Sequence, residues 1–347
     1  MVILRQGIAG WKPFHGCEKD RDQSPDSHSY LLVGRLSFVL EADLLHDLTP
    51  VAEQLLERHL AATKEWFPHE HVPYSRGRDH VPGEEWSEDD ADLGGHQMDP
   101  AVRSALYVNL LTEDNLPYYF QTLDRLLGKD GVWGTWVRRW TAEEGRHSMA
   151  IYGYLMATRA IDPVALERAR MVQVSGGVVP HPDSLFEGFV YLSLQELATR
   201  ISHRNTGRKI GDPKGYDVMK RVVADENLHQ IFYRDLAQAA FEAAPDHMMV
   251  ALEKVVRGFA MPGTGIPDFD HHAAIIAKAG IYDLQIHHEQ ILAPVVLRQW
   301  GAADMEGLSG EGAAAQDKLM KRMRTSERVA TRYAERRAAE DAELQPA

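Results

Sequence analysis

An all-α protein built around a four-helix bundle is the fold this sequence predicts, on three observations. Apolar residues recur at three- and four-residue intervals through several long segments, the spacing that lines one face of a helix. Helix-starting pairs stand where such segments open: Asp99-Pro100, Asp183-Ser184 and Asp212-Pro213. Period-two alternation, the mark of a half-buried strand, is hard to find anywhere.

Taken in order, residues 1–36 are rich in Gly, Asp, Ser and His without periodicity. They read as a poorly ordered segment ahead of a single domain over 37–340. From Asp43 to Glu65 the spacing of Leu44, Leu45, Leu48, Val51, Leu55, Leu56 and Leu60 is helical. Residues 66–98 form a long loop with Pro68, Pro73 and Pro82 and acids clustered at 84–92; loops this long are usually functional or flexible.

Four long helices then follow. The first opens at Asp99-Pro100 and carries Glu113. Pro117 lacks the N–H that would bond the Glu113 carbonyl, so a kink is expected at Glu113, with the helical pattern continuing over Tyr118–Leu127. The second runs from near Val132 to Arg159 and carries Glu144 and His147. The third, from Asp183-Ser184 to about Thr206-Gly207, carries Glu196; the fourth, from Asp212-Pro213 to about Ala244-Pro245, carries Glu226 and His229. Further helical pattern at 246–260, 270–299 and 311–340 supplies flanking helices.

Composition narrows the function classes. The 347 residues carry 38 basic and 51 acidic side chains, a net charge of −13, which argues against broad nucleic-acid binding. The single cysteine, Cys17, excludes an intramolecular disulfide and suits a reducing cytoplasm. No apolar run approaches the ~18 residues of a membrane span, and the N-terminus lacks a signal-peptide apolar core. A cytoplasmic protein is expected.

The chemistry is concentrated in two Glu-x-x-His motifs, Glu144-Gly145-Arg146-His147 and Glu226-Asn227-Leu228-His229. Each follows a lone glutamate, Glu113 or Glu196, by about thirty residues, and each is preceded by another acid, Glu143 or Asp225. Residues three apart on a helix share a face, so both can point into one cavity. One such motif alone is more often a solvated helix face. The pairing, the flanking acids and the matched glutamates together point to metal.

A repeated Glu…Glu-x-x-His unit is how a ferritin-like four-helix bundle builds a di-iron or di-manganese centre. The expected ligands are Glu113, Glu144, His147, Glu196, Glu226 and His229. Four carboxylates balance two divalent ions, which removes much of the desolvation cost of burying them. Carboxylate with imidazole suits iron or manganese better than copper(I) or a closed zinc–thiolate site. Glu143 and Asp225 are candidates to accept the second ring N–H, each from the opposite histidine.

Trp140 and Thr199 fall on the ligand faces. Core packing is as good a reason for the tryptophan, whereas the threonine hydroxyl suits hydrogen bonding to a bound oxygen species. His69-Glu70-His71, His271-His272 and His287-His288-Glu289 lack partners at ligand spacing and read as non-ligands. The charged tail at 318–343 reads as a solvated helix.

Trp140-Thr141-Ala142-Glu143-Glu144-Gly145-Arg146-His147 resembles the W-T-A-E-E-N-R-H signature of the soluble acyl-carrier-protein desaturases. The similarity extends through Thr112-Glu113-Asp114-Asn115-Leu116-Pro117, Gln195-Glu196-Leu197-Ala198-Thr199, Ile201-Ser202-His203, Ala224-Asp225-Glu226 and Gly307-Leu308-Ser309-Gly310-Glu311-Gly312. It covers roughly residues 40–335.

The resemblance implies a homodimeric, ferritin-like di-iron oxidoreductase. Such an enzyme uses dioxygen and two electrons from a ferredoxin to place a cis double bond in a fatty-acyl chain held on acyl carrier protein. By match, the metal ligands are the same six residues, Thr199 is the active-site threonine, and Trp66 with His147 and Asp225 is the electron route. Two departures stand out. Gly145 replaces an asparagine, and Asn227-Leu228 replaces a Lys-Arg pair near the carrier-docking face of plant relatives. Arg58, Lys64, Arg208, Lys209, Lys220 and Arg221 are substitute charges to consider. The alternatives are a di-iron hydroxylase or oxygenase of acyl chains, and a catalytically silent homologue that binds acyl carrier.

Overall fold

The computed structural model describes residues 27–177, 179–263 and 265–343, and among them all regular structure is helical. The segment 1–36 lies largely outside the described residues; from Ser27 the chain is already in the first helix, α1 (Ser27–Ala62), which contains the apolar stripe Leu44–Leu60 and ends three residues before the expected Glu65. The long loop holds a short helix, α2 (Pro68–His71), and two 3-10 turns, Tyr74–Arg76 and Glu88–Asp90.

Four helices form the bundle: α3 (Pro100–Glu113), α5 (Gly131–Thr158), α7 (Leu185–Lys209) and α8 (Pro213–Ala243), with α4 (Leu116–Leu127) and α6 (Pro163–Gly176) between them. Their starts follow from the capping residues. Asp99 accepts from the Ala101 N–H at 2.7 Å, Ser184 from the Glu187 N–H at 3.2 Å, and Asp212 from the Lys214 N–H at 3.0 Å. Each satisfies a donor that a helix N-terminus leaves orphaned.

The expected kink at Glu113 is instead a break. α3 ends at Glu113, Asp114 and Asn115 form a turn, and α4 restarts at Leu116. Pro117 sits in the first turn of α4, where a missing N–H is harmless, and Tyr118 N bonds Asn115 O at 2.9 Å. α6 was not anticipated, because only Leu166, Ala169 and Gln173 of it are buried and its apolar pattern is faint.

Outside the bundle lie α9 (Pro245–Gly258), α10 (Phe269–Lys278), α11 (Leu284–Ile286, running on as a π-helix through Gln299) and α12 (Gly310–Glu343). The single helix expected over 270–299 is therefore two. Gly280, with φ of 65°, turns the chain between them. In the π segment Trp300 N bonds Val295 O at 2.9 Å, and Pro294 supplies no donor inside it. No helix among the described residues is long and apolar enough to cross a membrane.

Two apolar clusters flank the middle of the bundle. One gathers Trp136, Trp140, Leu194, Leu197, Phe232 and Tyr233 with α1, α9 and α12. The other gathers Leu106, Leu110, Ile151, Tyr154, Val218 and Val222. The Glu and His residues of the motifs lie between them, clamped by packed layers above and below.

Candidate metal centre

All six expected ligands are buried, and they fall into two groups whose ligand atoms lie within 4.8 Å of one another. Glu113, Glu144, His147 and Glu226 form one; Glu144, Glu196, Glu226 and His229 form the other. Glu144 and Glu226 belong to both. Each of the four bundle helices supplies its motif residues at the same height, which is why residues about thirty apart in sequence converge.

His147 Nδ1 lies 3.0 Å from Glu144, 3.5 Å from Glu226 and 3.8 Å from Glu113. His229 Nδ1 lies 2.8 Å from Glu144 and 3.9 Å from Glu196. The far nitrogens point away from the cluster. His229 Nε2 donates to Glu143 Oε2 at 2.9 Å, and His147 Nε2 lies 3.4 Å from Asp225 Oδ2. Each flanking acid thus reaches the histidine of the other motif.

Around this shell, the Trp66 indole N–H donates to Asp225 at 2.9 Å, and Arg146 donates to the same Asp225 oxygen at 2.8 Å while its guanidinium lies 4.9 Å from the Trp66 ring. The Trp140 indole N–H donates to Glu196 at 3.2 Å. Thr199 Oγ1 accepts from Gln195 at 2.8 Å and lines the cavity beside the glutamates.

Two residues outside the expected set join the site. His59 Nε2 lies 2.9 Å from Glu143 Oε2, and His203 Nε2 lies 2.9 Å from Glu113 Oε1. Each carried a signal. His203 stands seven residues after Glu196, on the same helix face, and His59 occupies a position of the apolar stripe that a leucine would fill. Of the other histidine runs, His71 pairs with Asp217 at 2.6 Å and His272 packs on the Tyr107 ring at 4.6 Å.

Electrostatics test whether cations fit. Burial pushes the Glu196 carboxyl well above the usual carboxylate range, and the charges of Glu226 and Glu144 push it further. Burial and the Glu144 charge raise Glu226 as well. Burial also acts on Glu144, but His147 and His229 hold it below the usual range. For His147 and His229 burial favours the neutral ring, yet Glu144 and the flanking acids raise both. Glu143 is held low against its burial by His229 and His59. Without cations the cluster balances its charge only by keeping protons on both histidines and on carboxyls. Glu226 Oε2 is buried without a hydrogen-bond partner, and His229 Nδ1, 2.8 Å from Glu144, is not aligned for a hydrogen bond there. Four carboxylates, two inward nitrogens and orphaned lone pairs suit two divalent ions.

Beside the cluster lies a cavity. Glu113, Glu144, Glu196, Glu226 and Thr199 form one wall, and Tyr119, Leu123, Leu126, Trp140, Tyr191 and Leu192 supply apolar surface. Leu228, at the departure from the plant pattern, lines a separate surface pocket with Arg58 and His59.

A family model described as fatty acid desaturase matches residues 40–346. The chain belongs to that family. The desaturase is 43% identical over 289 residues to a Mycobacterium tuberculosis chain named acyl-[acyl-carrier-protein] desaturase DesA1, a match covering 80% of this chain and 84% of that one. It is 32% identical over 227 residues to the chloroplastic stearoyl-[acyl-carrier-protein] 9-desaturase 5 of Oryza sativa subsp. japonica, covering 60% of this chain and 58% of the rice chain. Among solved structures it is similar to acyl-ACP desaturase DesA2 of Mycobacterium tuberculosis H37Rv. That match has a TM-score of 0.62 and 26% identity, over 76% of this chain and 97% of the other. The ferritin-like helical architecture and the oxidoreductase class agree with the reading of the motifs.

Proposed function

We propose that this desaturase holds two iron ions and places a cis double bond in a fatty-acyl chain carried on acyl carrier protein, with dioxygen as oxidant and a ferredoxin as electron donor. The observation that carries the reading is the shared wall. The four carboxylates of the two ligand groups, Glu113, Glu144, Glu196 and Glu226, face the same cavity that the apolar side chains line.

Glu113, Glu144, His147, Glu196, Glu226 and His229 would hold the pair, Glu144 and Glu226 being the two that belong to both ligand groups. Bound there, the iron pair supplies dioxygen activation and the removal of two hydrogen atoms from neighbouring methylenes. Two electrons and two protons balance the reaction, which releases two waters and the alkene.

The protein positions and insulates. Leu123, Leu126 and Leu192 hold the chain and exclude water from the reacting carbons. Glu143 and Asp225 fix the ring orientation of His229 and His147. Thr199, oriented by Gln195, presents a hydroxyl to the cavity. Trp66, through Asp225 to His147, is the route for electrons. Trp140 holds Glu196 by its indole N–H. The acting unit is a homodimer.

Anaerobic iron loading, dithionite reduction and oxygenation with acyl-carrier substrates of graded length test this. The expected product has lost two hydrogens by mass spectrometry, with iron near two per chain. Gain of oxygen in place of that loss would assign a hydroxylase. Iron below about one per chain, or turnover intact in Glu144→Ala, would end the proposal.

A further inference from the structure

Beside the two ligand groups of the bundle, three buried side chains converge at a third point. His59 of α1, Glu143 of α5 and His229 of α8 each offer one ligand atom, and the three atoms lie within 4.8 Å of one another. His59 Nε2 and His229 Nε2 each stand 2.9 Å from Glu143 Oε2. The two rings are stacked, with centroids 5.8 Å apart and planes 18° from parallel, so both nitrogens face one oxygen. None of the three side chains is more than 3% exposed.

Hydrogen bonding accounts for only part of this arrangement. Glu143 alone can hold the His229 ring in line, and Arg139 already engages its other oxygen at 2.6 Å. His59 adds a buried Nδ1 with no partner among the described residues, a cost that an apolar residue on the α1 stripe would avoid. An imidazole placed there at that cost points to a ligand for its ring.

The set meets the requirements a metal imposes. Two imidazoles and one carboxylate are the donors of zinc sites that keep a further position open. Bonds of about 2.0–2.1 Å separate neighbouring ligand atoms by about 2.8–3.4 Å, from a right-angled to a tetrahedral arrangement, and both 2.9 Å spacings fall in that range. An entry path exists as well. His59 lines a surface pocket with Leu55, Arg58, Ala62, Leu228 and Phe232. The Arg58 guanidinium in that lining is paired with Asp235 at 2.6 Å, which lessens its repulsion of an entering cation.

We propose that His59, Glu143 and His229 form a third metal site that takes a zinc ion, and that zinc there withholds His229 from the neighbouring pair. The second half rests on the reading that His229 Nδ1 ligates iron. A neutral imidazole has one bare ring nitrogen. Given to zinc at Nε2, it leaves the proton on Nδ1, which faces Glu144 at 2.8 Å. His59 makes the same shift of its N–H from Nε2 to Nδ1. Both rings stay neutral, and one divalent ion enters as another leaves, so charge and protons balance. Three protein ligands stand here against four in each group of the pair, and Arg139 shares the carboxylate. The third site is therefore the weaker and fills when zinc is in excess, where it acts as a brake on the iron pair.

The test uses full-length protein loaded anaerobically with iron, as wild type, His59→Leu and His59→Gln, with circular dichroism to verify folding. Glutamine keeps a donor for Glu143 and removes the imidazole. Zinc is titrated in, bound zinc and iron are counted by elemental analysis after rapid desalting, and zinc ligation is read by X-ray absorption. The wild type is expected to take about one zinc per chain on two imidazoles and to release about one iron in exchange. Both variants should bind zinc at least tenfold more weakly and keep their iron. Equal zinc affinity in all three proteins overturns the site, as does equal iron release in all three, which would mean direct competition at the pair. One zinc bound with iron content unchanged overturns the withholding of His229. A wild type that holds no iron, yet binds a zinc that His59→Gln loses, upholds the site and ends the iron reading instead.

Discussion

His59 Nε2 and Glu143 Oε2 stand 2.9 Å apart, and that same oxygen accepts from His229 Nε2 at 2.9 Å. One carboxylate therefore aligns a ring from α1 with an inward-pointing ring of the bundle. The Trp66–Asp225–His147 series does the same for the other half, so each Glu-x-x-His histidine is steadied through an acid by a residue at the end of α1 or just after it. Arg139 donates to the remaining Glu143 oxygen at 2.6 Å, so the carboxylate is fully engaged.

Removing that acid should loosen the metal more than removing the histidine behind it. Glu143→Ala is expected to weaken metal binding about 10–100-fold, the usual cost of losing an outer partner of a ligating histidine. His59→Leu keeps the His229 bond and should spare most of the affinity, while losing one charge-assisted hydrogen bond, about 1.5–3 kcal/mol of stability. Chelator competition with cobalt(II) and denaturant unfolding separate the two effects. Equal metal affinity in the wild type and Glu143→Ala would show that His229 needs no such alignment.

Ligand sharing predicts a pattern of stoichiometry. Glu144 and Glu226 belong to both groups, so Glu144→Ala or Glu226→Ala should leave little bound metal. Glu113 and Glu196 belong to one group each, so Glu113→Ala or Glu196→Ala should retain about one ion per chain. Elemental analysis after dialysis reads this directly. Four variants with the same metal content would mean that sharing does not govern binding.

The bundle was legible because its signals are local. Asp99, Ser184 and Asp212 cap the helices they were expected to start, and the motif spacing alone placed four helices at one height. What the sequence concealed depends on contacts between distant segments or on weak patterns. His59 meets Glu143 across eighty-four positions, and no spacing rule links α1 to α5. α6 escaped because three buried residues make too faint a stripe. The break at Glu113 escaped because a proline pattern fits a kink and a restart equally; the Asn115 carbonyl, accepting from Tyr118, decides for the restart.

The metal-free protein should lose stability as pH rises. A carboxyl raised in the fold, as Glu196 and Glu226 are, binds more protons folded than unfolded, so stability falls from the ordinary value of 4.5 upward through the raised value. His147 and His229 are also raised; their contribution is complete below 6.5 and lost as pH climbs through the folded values. Glu143 and Glu144 are held low and act oppositely, losing their contribution only below 4.5. Thermal melts of chelator-treated protein should therefore decline on the alkaline side of 6.5, and divalent metal should flatten that decline. Parallel profiles with and without metal would contradict the charge balance described for the cluster.

Gly145 should be replaceable with a gain in stability. It lies inside α5 between Glu144 and Arg146, and a Cβ built there meets only Leu116 Cδ2 at 3.8 Å, an ordinary contact. Gly145→Ala is expected to add about 1 kcal/mol from helix propensity, read as a higher denaturant midpoint. Gly134 of the same helix forms the control, because its Cβ would collide with the Lys129 backbone, and Gly134→Ala should destabilise. A loss of stability at position 145 would mean that the open space beside Leu116 is needed.

Chain length should be set by the apolar wall, where Leu126 lines the cavity and a Cβ on Gly188 would come within 3.0 Å of its Cδ1. Leu126 thus lies between the cavity and the α7 backbone, with little room to retreat. Leu126→Trp fills cavity volume that a long acyl chain would occupy, and the shorter substrate avoids the clash. Discrimination in an apolar pocket amounts to about 1–3 kcal/mol per methylene, 10–200-fold in kcat/KM. The variant should therefore lose the longest substrates by at least tenfold while keeping shorter ones, in assays on acyl carriers differing by two carbons. A uniform fall across all lengths would mean that Leu126 acts on every chain alike, by distorting the metal side of the cavity, and does not measure the chain.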